Sequence, residues 1–163
     1  MEARPSREHA ADLAICIMCA ARYLTSESYF KRSEVGPMRF CGDDDLRKVM
    51  GNNDTKLKIA AMADIGRVDD QDIPPAKDCL IDLIRVACYD YQIDEAIRLA
   101  NLCVARGYEV SINLMAVAKN TIEQIDACLD KVAEQCNCHY FYIADSFGSI
   151  YGEQARPPRA IQH

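Results

Sequence analysis

Four short apolar runs, each followed by polar residues and then by an amphipathic stretch, dominate this chain of 163 residues. They occupy residues 57–63, 83–88, 110–116 and 140–144, and their ends lie roughly 24 to 30 residues apart. A parallel strand with its crossover helix needs roughly 30 residues. Because the runs are nearly continuous rather than alternating, both faces of the sheet should be covered. The pattern predicts an α/β domain built on about four parallel strands.

Helices are predicted between the runs. The clearest spans residues 94–106, where apolar side chains recur at helical spacing. The next helix follows Asn120 or Thr121, either of which can cap it. A shorter helix is predicted at residues 43–50, after a loop, and its three leading acids suit a helix N-terminus. Residues 9–24 are apolar on all sides, which predicts an N-terminal helix that needs burial.

Composition limits which classes of partner and which cellular compartment we expect for this chain. The formal net charge is −6 and the chain has no long basic run, so neither nucleic acid nor an anionic membrane is an expected partner. The longest apolar run, residues 13–21, is too short for a membrane span of about 20 residues. The nine cysteines are odd in number and several lie in apolar stretches, which indicates a reducing compartment. We therefore expect a cytoplasmic protein.

Polar residues at the end of one strand and inside two others are the candidates for chemistry. Asp145 and Ser146 directly follow the fourth apolar run, where parallel sheets hold their active sites. They equally fit an ordinary loop cap. Arg85 lies inside the second run, where it could bind a carboxylate or pair with an acid such as Asp64 or Asp145. Asn113 lies inside the third run and needs partners, for which a buried hydrogen-bond network is the alternative explanation.

Two cysteine clusters raise the question of a metal or redox site. Cys16 and Cys19 have the spacing of such a site but lie in an apolar stretch, so core packing is favoured. Cys136, Cys138 and His139 lie close together at a strand entry, where three ligands are hard to present to one ion. The sequence therefore assigns no metal ligands.

Four segments carry a family resemblance because they occur in order and at barrel spacing. Residues 29–153 resemble the 3-hydroxy-3-methylglutaryl-CoA lyase-like family, whose aldolase branch has an Asp-Ser-x-Gly loop after its sixth strand. The resemblance divides the chain into a helical segment (1–28), a partial barrel domain (29–153) and a tail (154–163). The matching segments are residues 58–64, 82–88, 107–115 and 142–148.

The resemblance implies a (β/α)8 barrel of which this chain supplies the third to sixth strands. It also implies a metal-dependent lyase or aldolase that acts on 2-oxo acids such as pyruvate, with Mn²⁺ or Mg²⁺ stabilising an enolate. Ser146 would bind the oxo acid and Asp145 would shape the site. Arg85 and Asn113 would line the barrel interior.

The family's metal-binding motifs are not found in this sequence. Neither the Arg-Asp-Gly motif of the first strand nor the His-x-His pair of the seventh is present. We therefore expect a truncated barrel that needs a second copy or a partner chain to cover its open edges. One alternative is a non-catalytic fragment that serves as a binding or oligomerisation module. A third reading is a flavodoxin-like open α/β domain, which the missing phosphate loop disfavours.

Overall fold

The structure is a computed structural model. The predicted N-terminal helix, Cys16, Cys19 and the predicted tail lie outside the residues it describes, and the domain boundaries stay predictions. The described residues are 25–36, 39–40, 42–50 and 58–149.

Four parallel strands form one sheet, as the apolar runs predict. The strands are β1 (Ala60–Asp64), β2 (Leu83–Cys88), β3 (Glu109–Met115) and β4 (Tyr140–Ala144). Their spatial order is the chain order, β1-β2-β3-β4, and each neighbouring pair is parallel. The α/β class and the arrangement of a partial barrel are therefore confirmed.

The strand order separates a barrel from a doubly wound sheet. A doubly wound sheet reverses its strand order at a switch point, where its ligand binds. The four described strands show no reversal, so each crossover advances in one direction as it does in a (β/α)8 barrel. The flavodoxin-like reading is therefore wrong for this part of the chain.

Four α-helices accompany the sheet in the described ranges: α1 (Arg32–Val35), α2 (Asp43–Met50), α3 (Ile93–Ala105) and α4 (Ile122–Gln135). The single turn of α1 lies within a stretch that the sequence predicted as loop. The other three helices match their predictions within one or two residues. α3 packs on β2, β3 and α4. Within the described ranges, no helix is both long and apolar enough to cross a bilayer.

The strands present two different faces, because side chains alternate across a sheet. One face is wholly apolar in β2 and β3, and its side chains there have no exposed surface. It suits the apolar stripe of α3, which buries Ile97, Ala100 and Cys103. We call this the outer face, and its members in β2 and β3 are Ile84, Val86, Cys88, Val110, Ile112 and Leu114.

The opposite face, which we call the inner face, carries polar side chains in two rows. The strand registers align these rows across all four strands. The nearly continuous apolar character of the runs thus belongs to the outer face, and polar side chains interrupt it on the inner face. The lower row is Met62, Arg85, Ser111 and Tyr140, and the upper row, nearer the strand ends, is Asp64, Ala87, Asn113 and Tyr142.

Candidate functional site

Three polar side chains lie side by side on the inner face. Arg85 is in register with Ser111 on the neighbouring strand, about 5 Å away across the sheet. Asn113 is two residues further along the same strand as Ser111 and therefore points to the same side. Ser111 is fully buried, Asn113 is 4% exposed and Arg85 is half-buried. The register thus brings together Arg85 and Asn113, which the sequence singled out separately.

Each of the three side chains has a buried polar atom without a hydrogen-bond partner among the described residues. These atoms are Nε of Arg85, Oγ of Ser111 and Oδ1 of Asn113. An unpaired buried polar group costs about 1–3 kcal/mol, and more if it is charged. Native proteins leave few such atoms, so three neighbouring ones need an explanation. A bound ligand would explain them if it offered oxygen acceptors to Arg85 and Ser111 and a hydrogen-bond donor to Asn113.

The ion pair that the sequence offered as an alternative for Arg85 does not form. Among the described residues Arg85 has no ion pair. Asp64 instead accepts a hydrogen bond from Nη1 of Arg67, at 3.1 Å. Burial raises the pKa of the Asp64 carboxyl, although Arg67 and Arg39 oppose the shift. Asp64 therefore stands at the upper end of the inner face as a carboxyl with raised proton affinity.

The loop after β4 is tied to the loop after β3. The Ser146 hydroxyl accepts a hydrogen bond from the backbone N–H of Ala116, at 3.1 Å. Ala116 has φ of 56°, a left-handed conformation that costs a non-glycine residue about 1–2 kcal/mol. Such conformations cluster at functional sites, where neighbouring contacts hold them. Ser146 thus lies at the carboxyl ends of β3 and β4, where a barrel holds its chemistry.

Asp145 has a local structural contact. Its Oδ1 accepts a hydrogen bond from the backbone N–H of Phe147, at 3.2 Å, which is the geometry of an Asx-turn. The ring of Phe147 in turn contacts Lys119, whose Nζ lies 4.5 Å from the ring centroid. The loop-cap contact that the sequence offered for Asp145 is therefore present. Its assignment to a ligand site stays a prediction.

The sequence offers Cys136, Cys138 and His139 as another possible metal cluster. In the parts of the chain that the structure describes, no three His, Cys, Asp or Glu side chains are grouped as ligands. His139 instead accepts a hydrogen bond at Nδ1 from the backbone N–H of Val110, at 3.1 Å. Its ring therefore helps to join the entries of β3 and β4.

A cavity of about 410 Å³ lies apart from the inner face. Residues 25–28 and Asp69, Gln71 and Asp72 supply most of its lining. None of the predicted site residues lines this cavity. The unpartnered atoms of the inner face, rather than this cavity, therefore define the candidate site.

Two residues of the candidate site were missed by the sequence reasoning. The apolar run around it conceals Ser111, and the sequence indicates Asp64 only as a partner for Arg85. Both share a face with Arg85 once the strand register is known. Ser111 could have been found from parity, because it lies two positions before Asn113 in the same strand.

Comparisons with known proteins agree with the fold. A crystal structure described as the N-terminal domain of a putative aldolase from Bacteroides vulgatus is similar, with a TM-score of 0.53 and 22% sequence identity. The similarity covers 90% of this chain and 50% of that chain, so this chain spans about half the length of its structural neighbour. No protein-family model matches the sequence. No curated protein matches it either. This chain therefore shares the α/β fold of that domain.

Proposed function

We propose that the inner face binds a small carboxylate of the 2-oxo acid class, and that the chain is lyase- or aldolase-like. The observation that carries the proposal is the cluster of three buried polar atoms without partners at Arg85, Ser111 and Asn113. The name of the structural neighbour agrees with an aldolase-like activity. The segments that resemble the lyase-like family support the same class.

A guanidinium that is half-buried without an ion pair favours an anion as its ligand. Arg85 offers planar N–H donors whose geometry matches a carboxylate, and such charge-assisted bonds are about twice as strong as neutral ones. Ser111 offers a hydroxyl donor beside it. Together these groups would hold the carboxylate end of a 2-oxo acid.

The other end of such a ligand would point along the strands toward their carboxyl ends. Asn113 lies one row above Arg85, and its amide can donate to an oxo group through Nδ2 or accept from a hydroxyl group through Oδ1. In the same row Asp64 has a raised pKa because it is buried, a property common in groups that transfer protons. We assign Asp64 to proton exchange with the bound ligand. Ser146 would close the site from above.

A divalent metal is implied by the resemblance, with Mn²⁺ or Mg²⁺ as the ion. The described residues do not fit one, since no three acidic, histidine or cysteine side chains are grouped. The carboxylate of Asp64 is already hydrogen-bonded to Arg67. The proposed binding step therefore uses the guanidinium, hydroxyl and amide groups of the inner face alone.

Pyruvate binding by Arg85→Met tests the proposal. We expect the variant to bind about 10- to 100-fold more weakly than the wild type, because a charge-assisted hydrogen bond contributes about 1.5–3 kcal/mol. The measurement is titration calorimetry, with unfolding in urea as a check of folding. Arg85 has no ion-pair partner among the described residues, so replacing it leaves no acid without its counter-charge and should leave the fold intact.

Met62→Leu is the matched control, since Met62 is in register with Arg85 on the same face and the change conserves volume. It should bind pyruvate like the wild type. Equal affinity of Arg85→Met and the wild type would contradict the carboxylate site. Activity is tested separately by adding a 4-hydroxy-2-oxo acid, with and without Mn²⁺, and following pyruvate release in wild type and Ser146→Ala. Turnover that the Ser146 variant retains in full would contradict its assigned role.

A second candidate function is a non-catalytic oligomerisation module, and the exposed strand β4 favours it. Three large side chains of β4 are 37–45% exposed, whereas β2 and β3 are almost entirely buried. Pyruvate binding without turnover, together with self-association, would favour this candidate over the enzyme.

A further inference from the structure

Two cysteines lie at the entry of β4, the opposite end of the sheet from the loop that holds Ser146. We propose that Cys136 and Cys138 form a redox-active dithiol, which closes to an intramolecular disulfide by exchange with a small-molecule disulfide. The proposal is independent of the proposed function, because neither thiol belongs to the inner-face cluster.

The backbone around Cys136 is held on both sides. Helix α4 ends before it, and its N–H donates to the carbonyl of Val132, at 3.0 Å. The side chain of Asn101 then spans the turn. Its Nδ2 donates to the carbonyl of Gln135 at 2.8 Å, and its Oδ1 accepts from the N–H of Asn137 at 2.9 Å. Asn101 thus fixes the residues directly before and after Cys136.

The two cysteines are close enough along the chain to be bridged. Cys136 has φ of −115° and ψ of 135°, which is an extended conformation. The Cα atoms of residues two apart are at most about 7 Å from each other in any backbone conformation. Disulfides span Cα distances of roughly 4.4 to 6.8 Å, so the pair lies near the upper end of the bridging range. A bridge there is expected to be labile rather than structural.

The two thiols have different chemical roles. The neighbouring Cys138 thiol, as a hydrogen-bond donor to the Cys136 sulfur, lowers the pKa of Cys136 to about 7. The same contact raises the pKa of Cys138. Burial, by contrast, raises the pKa of Cys88 and of Cys103 to about 12. Cys136 is therefore the attacking thiolate and Cys138 is the resolving thiol.

The exchange has two steps and balances without another reagent. The Cys136 thiolate attacks a disulfide RSSR, forming a mixed disulfide and releasing one RS⁻. Cys138 then loses its proton to water or to RS⁻, and its sulfur attacks the Cys136 sulfur and displaces the second RS⁻. Two thiols of the protein are oxidised by two electrons, and one RSSR is reduced to two RSH. Both cysteines are half-buried rather than fully buried, so a small disulfide can reach them.

Oxidised glutathione, added to the full chain at pH 7, provides the test. After alkylation and tryptic digestion, the peptide of residues 132–159 contains these two cysteines and no others. We expect it unalkylated and lighter by two hydrogen atoms. Cys138→Ser should instead retain a glutathione adduct on Cys136. Cys136→Ser should react at Cys138 at about one tenth of the wild-type rate or below, because only a small fraction of that thiol is ionised at pH 7.

The half-buried Cys79 is the matched control, and Cys79→Ser should oxidise like the wild type. A stable adduct on both cysteines of the wild type, or a bridge from either to a third cysteine, would overturn the proposal. Alkylation rates of the wild-type Cys136 across pH give a second measurement that needs no variant. Their midpoint should fall near 7, and a midpoint near 9 would refute the role of Cys136 as the thiolate.

Discussion

At the scale of single residues, Asp64 and Asp70 show how surroundings give two aspartates opposite behaviour. Asp64 is largely buried, and burial raises its pKa despite its bond to Arg67. Asp70 is about half exposed, and its hydrogen bonds from Arg98 lower its pKa. The ionised form is thus disfavoured by folding at Asp64 and favoured by folding at Asp70.

We expect the free energy of unfolding of Asp64→Asn to increase, relative to that of the wild type, as the pH rises. Between the unfolded and the raised folded pKa, the native state binds more protons, so the wild type loses stability as pH rises through the folded pKa. The asparagine variant lacks this loss. Its free energy of unfolding in urea, relative to the wild type, should therefore be higher at pH 7 than at pH 4.

Asp70→Asn is the control with the opposite sign. Its contribution is present above the unfolded pKa and is lost as the pH falls through the lowered folded pKa. The variant should therefore be less stable than the wild type at pH 7, and the difference should shrink on acidification. If both variants showed the same pH trend, the assigned environment of Asp64 would be wrong.

At the scale of secondary-structure elements, local signals fix where α4 begins. Thr121 Oγ1 accepts a hydrogen bond from the N–H of Gln124 at 3.3 Å, and Gln124 Oε1 accepts from the N–H of Thr121 at 2.8 Å. This reciprocal pair is a capping box, in which a Thr is followed three residues later by a Gln. The structure thus selects Thr121 over Asn120 as the cap that the sequence left open.

We expect Thr121→Ala to destabilise the chain by about 1 kcal/mol, because the N–H groups at the start of α4 lose their acceptor. Urea unfolding followed by circular dichroism measures the change. Thr121→Ser keeps the hydroxyl and should retain most of the stability. Equal losses in the alanine and serine variants would show that the methyl group rather than the cap is responsible.

At the scale of the whole molecule, the open edge of β4 decides how the chain can assemble. β4 pairs with β3 and with no other described strand. Tyr140 is 45% exposed, Tyr142 41% and Ile143 37%. A long exposed edge with apolar side chains promotes association with another chain. Four strands are also half the number that closes a (β/α)8 barrel.

We expect the chain to self-associate in a concentration-dependent way, and Ile143→Lys to weaken this association at least several-fold. The lysine adds a charge to the edge and can extend its ammonium into water, so the fold should persist. Sedimentation velocity measures the change. Ile122→Lys is the control, because Ile122 is 57% exposed and lies at the start of α4 rather than in β4. Equal effects of both substitutions would exclude a specific role for β4.

The fold was predictable from the sequence because its signals are local. Apolar runs such as residues 83–88 and the helical periodicity of residues 94–106 arise within single segments. The site was only partly predictable. Arg85 and Asn113 stood out as polar residues in apolar runs, but Ser111 did not, since a serine in a strand is unremarkable until its neighbours are known. The roles predicted for Asp145 and Ser146 stay predictions.

The sequence by itself determined four strand-and-helix units, their parallel direction and the polar residues that interrupt them. Each depends on the period of side chains along one segment and on crossover length. Only the tertiary structure decided the register, which places Arg85 beside Ser111 and Asp64 in the row of Asn113. A shift of one residue in pairing would turn these side chains to the other face. Register depends on contacts between distant segments, so no single segment encodes it.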